Sequence, residues 1–297
     1  MHRAQLAAVL TGTLVCLPPA PLASQNAPPP LDQAAMEEFL RTARIVRTRS
    51  AGKGVTASIR ATMQQGELTH DAHIQTVDQT QREFRGPRGI EFNFRDKWQF
   101  NVAAYKIDQM LGLQLVPATV ERRWNTEPAS FTWWVDDVMM DEGERVKKQM
   151  VAPNQDCWVQ QRQMIRFFDL LIENTDRNPG NLIITKAWRL WAIDHTRAFR
   201  RSKTLEKPES LNQIERGVFE RLSTLEFTTL KRELTRYIEE GDIRALLARR
   251  DAIVAHFNGG RNITLFDRRD AVAGCLATAA KGTAFLPQLV PTGRLQN

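Results

Sequence analysis

Hydrophobic and polar positions change period several times along this chain. After Met1-His2-Arg3, an almost wholly apolar run extends from Ala4 to Leu17 and breaks at Pro18-Pro19, with small residues Ala23 and Ser24 before Gln25. That is the layout of a secretory signal peptide, residues 1–24, cut after Ser24, and the run is too short for a membrane span. Residues 25–35 carry consecutive prolines and read as an extended linker. A short helix is expected over Met36–Ala43. Strand character then runs from Ile45 to about Val77, with strands over Val55–Met63 and His70–Val77 and turns at Ala51-Gly52-Lys53-Gly54 and Gln65-Gly66. Residues 79–96, with Gly86-Pro87-Arg88-Gly89, read as an irregular loop.

Helical period begins at Phe100. Val102, Ala103, Ile107, Met110 and Leu111 fall on one face, and Gly112 stops the helix. Strands are expected again over Leu115–Arg122 and Ser130–Val135. Beyond Asp136 the pattern is mainly helical: Glu142–Met150, Trp158–Asn174, Leu211–Leu222, Phe227–Glu239 and Ile243–Phe257. One hairpin, Leu182–Ile193 around Lys186-Ala187, interrupts it. The order predicts an α+β chain of two lobes: a β-rich N-lobe over 36–136 with one helix, a helical C-lobe over 137–262, and a tail over 263–297.

Composition narrows the classes. Of 297 residues, 42% are hydrophobic and 25% charged, which excludes wholesale disorder. The net charge of +7 is scattered rather than gathered into a basic face, so nucleic acid is not an expected partner. No later apolar run reaches membrane length, so the mature chain is not expected to span a membrane. Past the leader only Cys157 and Cys275 remain, too few for a disulfide framework or a metal knuckle, and two buried thiols are expected. The five histidines show no zinc-ligand spacing.

The chemistry concentrates in Glu173-Asn174-Thr175-Asp176-Arg177-Asn178-Pro179-Gly180-Asn181 and in Ile193-Asp194-His195-Thr196-Arg197-Ala198-Phe199. A helix ends near Asn174, a polar loop holds Asp176 and Asn181, and a hairpin returns Asp194 beside them. Two carboxylates and an amide suit a hard divalent cation that also takes phosphate and water oxygens.

Asp176 followed five residues later by Asn181 resembles the D-x-x-x-x-N catalytic loop of protein kinases, and Asp194 resembles the metal-binding Asp of D-F-G, written here Asp194-His195-Thr196. The wording is similar to the atypical kinases: HipA-type, phosphatidylinositol 3-/4-kinase and secretory-pathway kinases. The stretch from Phe100 to Tyr105 and on through Leu111 to Pro117 resembles their αC helix and following strand. The resemblance implies a bilobal protein-kinase-like fold that uses ATP, or another nucleotide, with Mg or Mn. By carry-over, Asp176 orients or deprotonates the attacking hydroxyl of a protein or small-molecule substrate, while Asn181 and Asp194 hold the metal.

The pattern also departs from the family. Gln75 stands where the third-strand Lys is expected and Asn101 where its αC Glu partner is expected. A Gln–Asn pair can hydrogen-bond across the site but brings no positive charge to a phosphate. Lys53, in the turn that would cover the phosphates, is a substitute cation, and Arg85 and Arg88 are further ones. Trp134 is placed to stack on the base or to pack in the core. Three readings stay open: an exported phosphotransferase, periplasmic or extracellular; a pseudokinase that binds nucleotide or metal, or neither; and a kinase-fold nucleotidyltransferase.

Overall fold

The computed structural model describes residues 32–51, 58–86, 89–260, 263–267 and 275. The expected leader, most of the linker and tail, and the candidate cations Lys53 and Arg88 lie outside the described residues.

The first described elements are α1 (Gln33–Thr42), β1 (Arg44–Ser50), β2 (Ile59–Gln65) and β3 (Leu68–Gln75). After the β4–β5 hairpin (Asp78–Gly86, Gly89–Lys97) come α2 (Gln99–Leu111), β6 (Thr119–Trp124) and β7 (Glu127–Trp133). Five of these strands form an antiparallel sheet in the order β1-β2-β3-β7-β6. Strand alternation gives the sheet two unlike faces. Ala61, Met63, Ala72, Ile74, Phe131 and Trp133 are buried, and α1 and α2 pack against β6 and β7. The intervening positions are polar: Arg60, Thr62, Asp71, His73, Gln75, Ser130 and Thr132. This second face carries the chemistry.

α2 stops where the sequence says it should, at Gly112 with φ 61°, a left-handed conformation that glycine adopts without a Cβ penalty. The strand expected from Leu115 starts only at Thr119. The amides of Leu115 and Val116 are taken instead by the buried Asp108 carboxylate, at 2.8 and 3.1 Å. Residues 79–96 are not an irregular loop. They build most of the β4–β5 hairpin, paired from Asp78↔Lys97 to Gly86↔Gly89. Most of β4 is solvent-exposed on both faces, so no in–out alternation marks it; the only apolar anchor is Phe84, stacked on Phe94 at 4.2 Å.

The second half holds β8 (Val138–Asp141), α3 (Glu142–Lys147), α4 (Gln155–Ile172), β9 (Leu182–Thr185) and β10 (Leu190–Ala192). It continues with β11 (Gln213–Glu215), α5 (Arg216–Ser223), α6 (Phe227–Leu234), α7 (Glu240–Gly259) and β12 (Thr264–Phe266). The helix expected from Leu211 begins only at Arg216, because Gln213–Glu215 pair in parallel with Thr264–Phe266. The α+β plan is thus present: a β-rich first part and a helical second part.

Two long-range ties were invisible in the sequence pattern. Arg95 of β5 makes a bidentate ion pair with fully buried Asp242 of α7, both contacts at 2.9 Å, and also donates to the Phe199 carbonyl. Cys157 and Cys275 are not thiols but a disulfide, their Cα atoms 5.5 Å apart across 118 residues of sequence. Cys157 lies in the first turn of α4, and the amide of Cys275 donates to the Ala187 carbonyl between β9 and β10. Tertiary placement, which spacing cannot report, brings the pair together.

Candidate active site

α4 ends at Ile172, and Glu173 turns the chain with φ 48°. The loop that follows is organised by Arg177. Its Nε and Nη2 grip the Asp169 carboxylate at 2.9 Å each. Its Nη1 donates to the carbonyls of Asn181 (3.2 Å) and Ile193 (2.7 Å), and Nη2 reaches His195 Nε2 at 2.9 Å. One guanidinium therefore joins the helix end, the loop and the strand end. Asn178 caps the turn at Pro179–Asn181 by accepting from the Gly180 amide.

The β9–β10 hairpin pairs Leu182 with Ala192, and the Ile193 amide donates to the Asn181 carbonyl at 3.0 Å. Asp194 therefore leaves the hairpin next to Asn181. Its φ of 57° is left-handed, uncommon for a residue with a side chain and a mark of local strain. Asp194 Oδ1 accepts from Gln75 Nε2 at 3.3 Å and from the Thr196 hydroxyl at 3.1 Å.

Gln75 connects this strand end to α2. Asn101 Nδ2 donates to Gln75 Oε1 at 2.5 Å and lies 3.3 Å from Ser130 Oγ, while Asn101 Oδ1 accepts from the His195 amide at 2.7 Å. Gln75 and Asn101 are both 4% exposed, so their amides must find partners within the protein, and they do. The His195 ring is buried; its burial, and then the charge of Arg177, hold its pKa well below the usual value. It is a neutral imidazole whose Nε2 accepts from Arg177, which puts the ring proton on Nδ1.

Asp176 faces Arg197, with Oδ1 3.4 Å from Nη1, and Arg197 also pairs with Glu91 of β5. Sequence reasoning missed Asp96, near the end of β5, because the segment was read as loop. Burial pushes the Asp96 carboxyl up, as do the charges of Asp194 and then Asp176, against the Thr196 hydroxyl and Arg197. Its Oδ1 is buried without a hydrogen-bond partner. It also missed the tie made by Arg177, although N-T-D-R-N spells that residue out beside Asp176.

The remaining expected residues are distributed as follows. Trp134 continues the polar face of β7, and the Arg60 guanidinium lies 3.9 Å from its ring centre with the His73 ring edge-on at 6.4 Å. Trp133 is a core residue stacked on His70 at 3.6 Å. Arg85 pairs with Glu83 on the hairpin. The Asn181 side-chain amide makes no hydrogen bond to any described residue, so it is free to serve as a ligand oxygen.

These groups fit a divalent cation. The Ile193–Asn181 backbone hydrogen bond brings the Asp194 and Asn181 positions together, and the charges of Asp194 and Asp176 add to burial in raising the pKa of Asp96. Among the described residues no cluster of three His, Cys, Asp or Glu side chains is gathered to hold a metal by itself. An ion here would complete its shell from phosphate and water, as Mg²⁺ commonly does.

No family model matches the chain, and no curated protein matches it. Solved structures do. The Golgi casein kinase superposes with TM-score 0.53 over 75% of this chain and 74% of its own, at 16% identity. A second structure of that kinase, with Mn and ADP bound, gives 0.50 over 75% of each chain at 15% identity. Hydra Fam20, solved with sugar, gives 0.54 over 76% of this chain and 89% of its own, at 14% identity. The chain has a protein-kinase-like fold, similar to that of the secretory-pathway kinases.

Proposed function

We propose that the protein is an exported phosphotransferase that uses a nucleotide with Mg²⁺ or Mn²⁺ to modify a hydroxyl on a protein or small molecule. The observation that carries this reading is the joining of Asn181 and Asp194 by the Ile193–Asn181 hydrogen bond, with Asp194 tied through Gln75 to Asn101. Asn181 and Asp194 are the metal residues. Asp176 orients the acceptor hydroxyl and takes its proton, with Arg197 beside it setting the direction of the carboxylate. A bound cation supplies charge neutralisation at the phosphates, which is the larger part of such catalysis. The Mn and ADP in a Golgi casein kinase structure of similar fold support the choice of ligand. Trp134 and Gln75 belong to the nucleotide side of the site, with Lys53 as a candidate phosphate cation.

Export is supported by the leader pattern and by the Cys157–Cys275 disulfide, which persists in oxidising compartments such as the periplasm or the extracellular medium. We assign the lobe boundary to residues 136/137.

A specific observation favours a second reading. The buried Gln75–Asn101 pair is neutral and fully bonded, so no cation reaches the phosphates from β3. A pseudokinase that binds nucleotide without transferring phosphate is compatible with that site. The deciding experiment adds γ-labelled ATP and Mn²⁺ to the mature protein. Transfer abolished by Asp176→Ala establishes the enzyme; nucleotide binding without transfer establishes the pseudokinase.

A further inference from the structure

A cavity of 490 Å³ opens between α1, β6, the residues after α6, and the side of α2 that carries Val102, Tyr105, Lys106 and Gln109. Its lining includes no residue of the candidate active site, and its size suits a small-molecule ligand. Arg41, Lys106, Arg122, Arg123 and Arg236 bring positive charge to it, against only two carboxylates, Glu37 and Glu121. Glu37 is engaged by Arg41, by the Tyr105 hydroxyl at 2.9 Å and by Gln109 at 2.8 Å. Glu121 is engaged by Arg236. Lys106 is shared with Glu233 at 3.4 Å, so Arg122 and Arg123 are the wall's cations without a carboxylate partner among the described residues.

Arg122 is the telling residue. Its Nη1 donates to the carbonyls of Leu40 and Ala43 at 3.1 and 2.8 Å, the C-terminal end of α1. Among the described residues no carboxylate pairs with it, and burial lowers its pKa. A half-buried guanidinium without a counter-anion gains from an arriving one, because charge-assisted hydrogen bonds strengthen where solvent is partly excluded.

We propose that this cavity binds a small molecule bearing a phosphate or pyrophosphate group, held by Arg122, Lys106 and Arg123. Because the site is separate from Asp194, binding here needs no divalent metal.

The test is a calorimetric titration of pyrophosphate into the full-length protein in EDTA, which removes any metal-dependent phosphate binding at Asp194. Saturable binding is expected, unchanged by Asp194→Ala and weakened about tenfold or more by Arg122→Gln. Arg122 also caps α1, so the double variant Lys106→Gln, Arg123→Gln, which leaves that cap intact, provides an independent arm with the same expected loss. The proposal is overturned if chloride at matched ionic strength gives the same response, if the double variant binds as tightly as the parent, or if Asp194→Ala alone removes binding.

Discussion

Asn101 donates its side-chain amide to Gln75 across 2.5 Å, joining a helix and a strand through residues 26 apart in sequence. The contact is buried and carries no charge. Gln75→Lys combined with Asn101→Glu should fold with near-parent stability. Asn101→Glu alone should cost about 3 kcal/mol, because it buries an unpaired carboxylate, whereas Gln75→Lys alone faces Asp194 and should cost less. Thermal unfolding of the four proteins in the cycle measures this coupling, and additive single costs would contradict it.

Asp242 is fully buried and serves two elements at once, pairing with Arg95 of the hairpin and accepting from the Glu239 amide at the start of α7. Asp242→Ala leaves Arg95 without its counter-charge and α7 without its reciprocal cap. A loss of roughly 3–5 kcal/mol is expected in denaturant unfolding. A change below 1 kcal/mol would mean the pair does not hold β5 to α7.

The disulfide closes a separation of 118 residues. Reduction, or Cys157→Ser, should lower stability by about 2–4 kcal/mol. Electrophoresis with and without reductant checks that the bond forms, and equal unfolding midpoints with and without reductant would show that it carries no stability.

His195 gives a pH signature. Its folded pKa lies below the ordinary value of about 6.5, so the fold keeps it neutral while the unfolded chain takes up a proton as pH falls. The unfolded state then binds more protons, and stability declines as pH drops below about 6.5 until the folded pKa is reached. His195→Gln should flatten this slope in metal-free protein. An unchanged slope would assign the effect to other groups.

Local rules were enough for much of this molecule. Gly112 ends α2 because its backbone takes the left-handed turn without a Cβ penalty, and the Leu182–Ile193 hairpin follows from two apolar runs around a polar turn. The meeting of Gln75 with Asn101 followed from placing one on a strand and the other on a helix at kinase spacing. What stayed hidden depends on distant partners. The β4–β5 hairpin lacks a buried stripe, so its pairing left no period, and Asp96 and Arg95 were hidden with it. Asp108 redirects the 112–118 segment through backbone amides that have no sequence signature. The disulfide joins residues that only the closed tertiary structure makes neighbours.

The proposed holding of a nucleotide-bound metal by Asp194 and Asn181 is tested most directly by the thermal stability of the mature protein with ADP, with Mn²⁺, and with both. Both together should raise the melting temperature beyond either alone, by the amount that ligand excess over the dissociation constant dictates, and Asp194→Ala should remove the added shift. A melting temperature indifferent to every Mn²⁺–nucleotide combination, or a shift that survives Asp194→Ala intact, would contradict it.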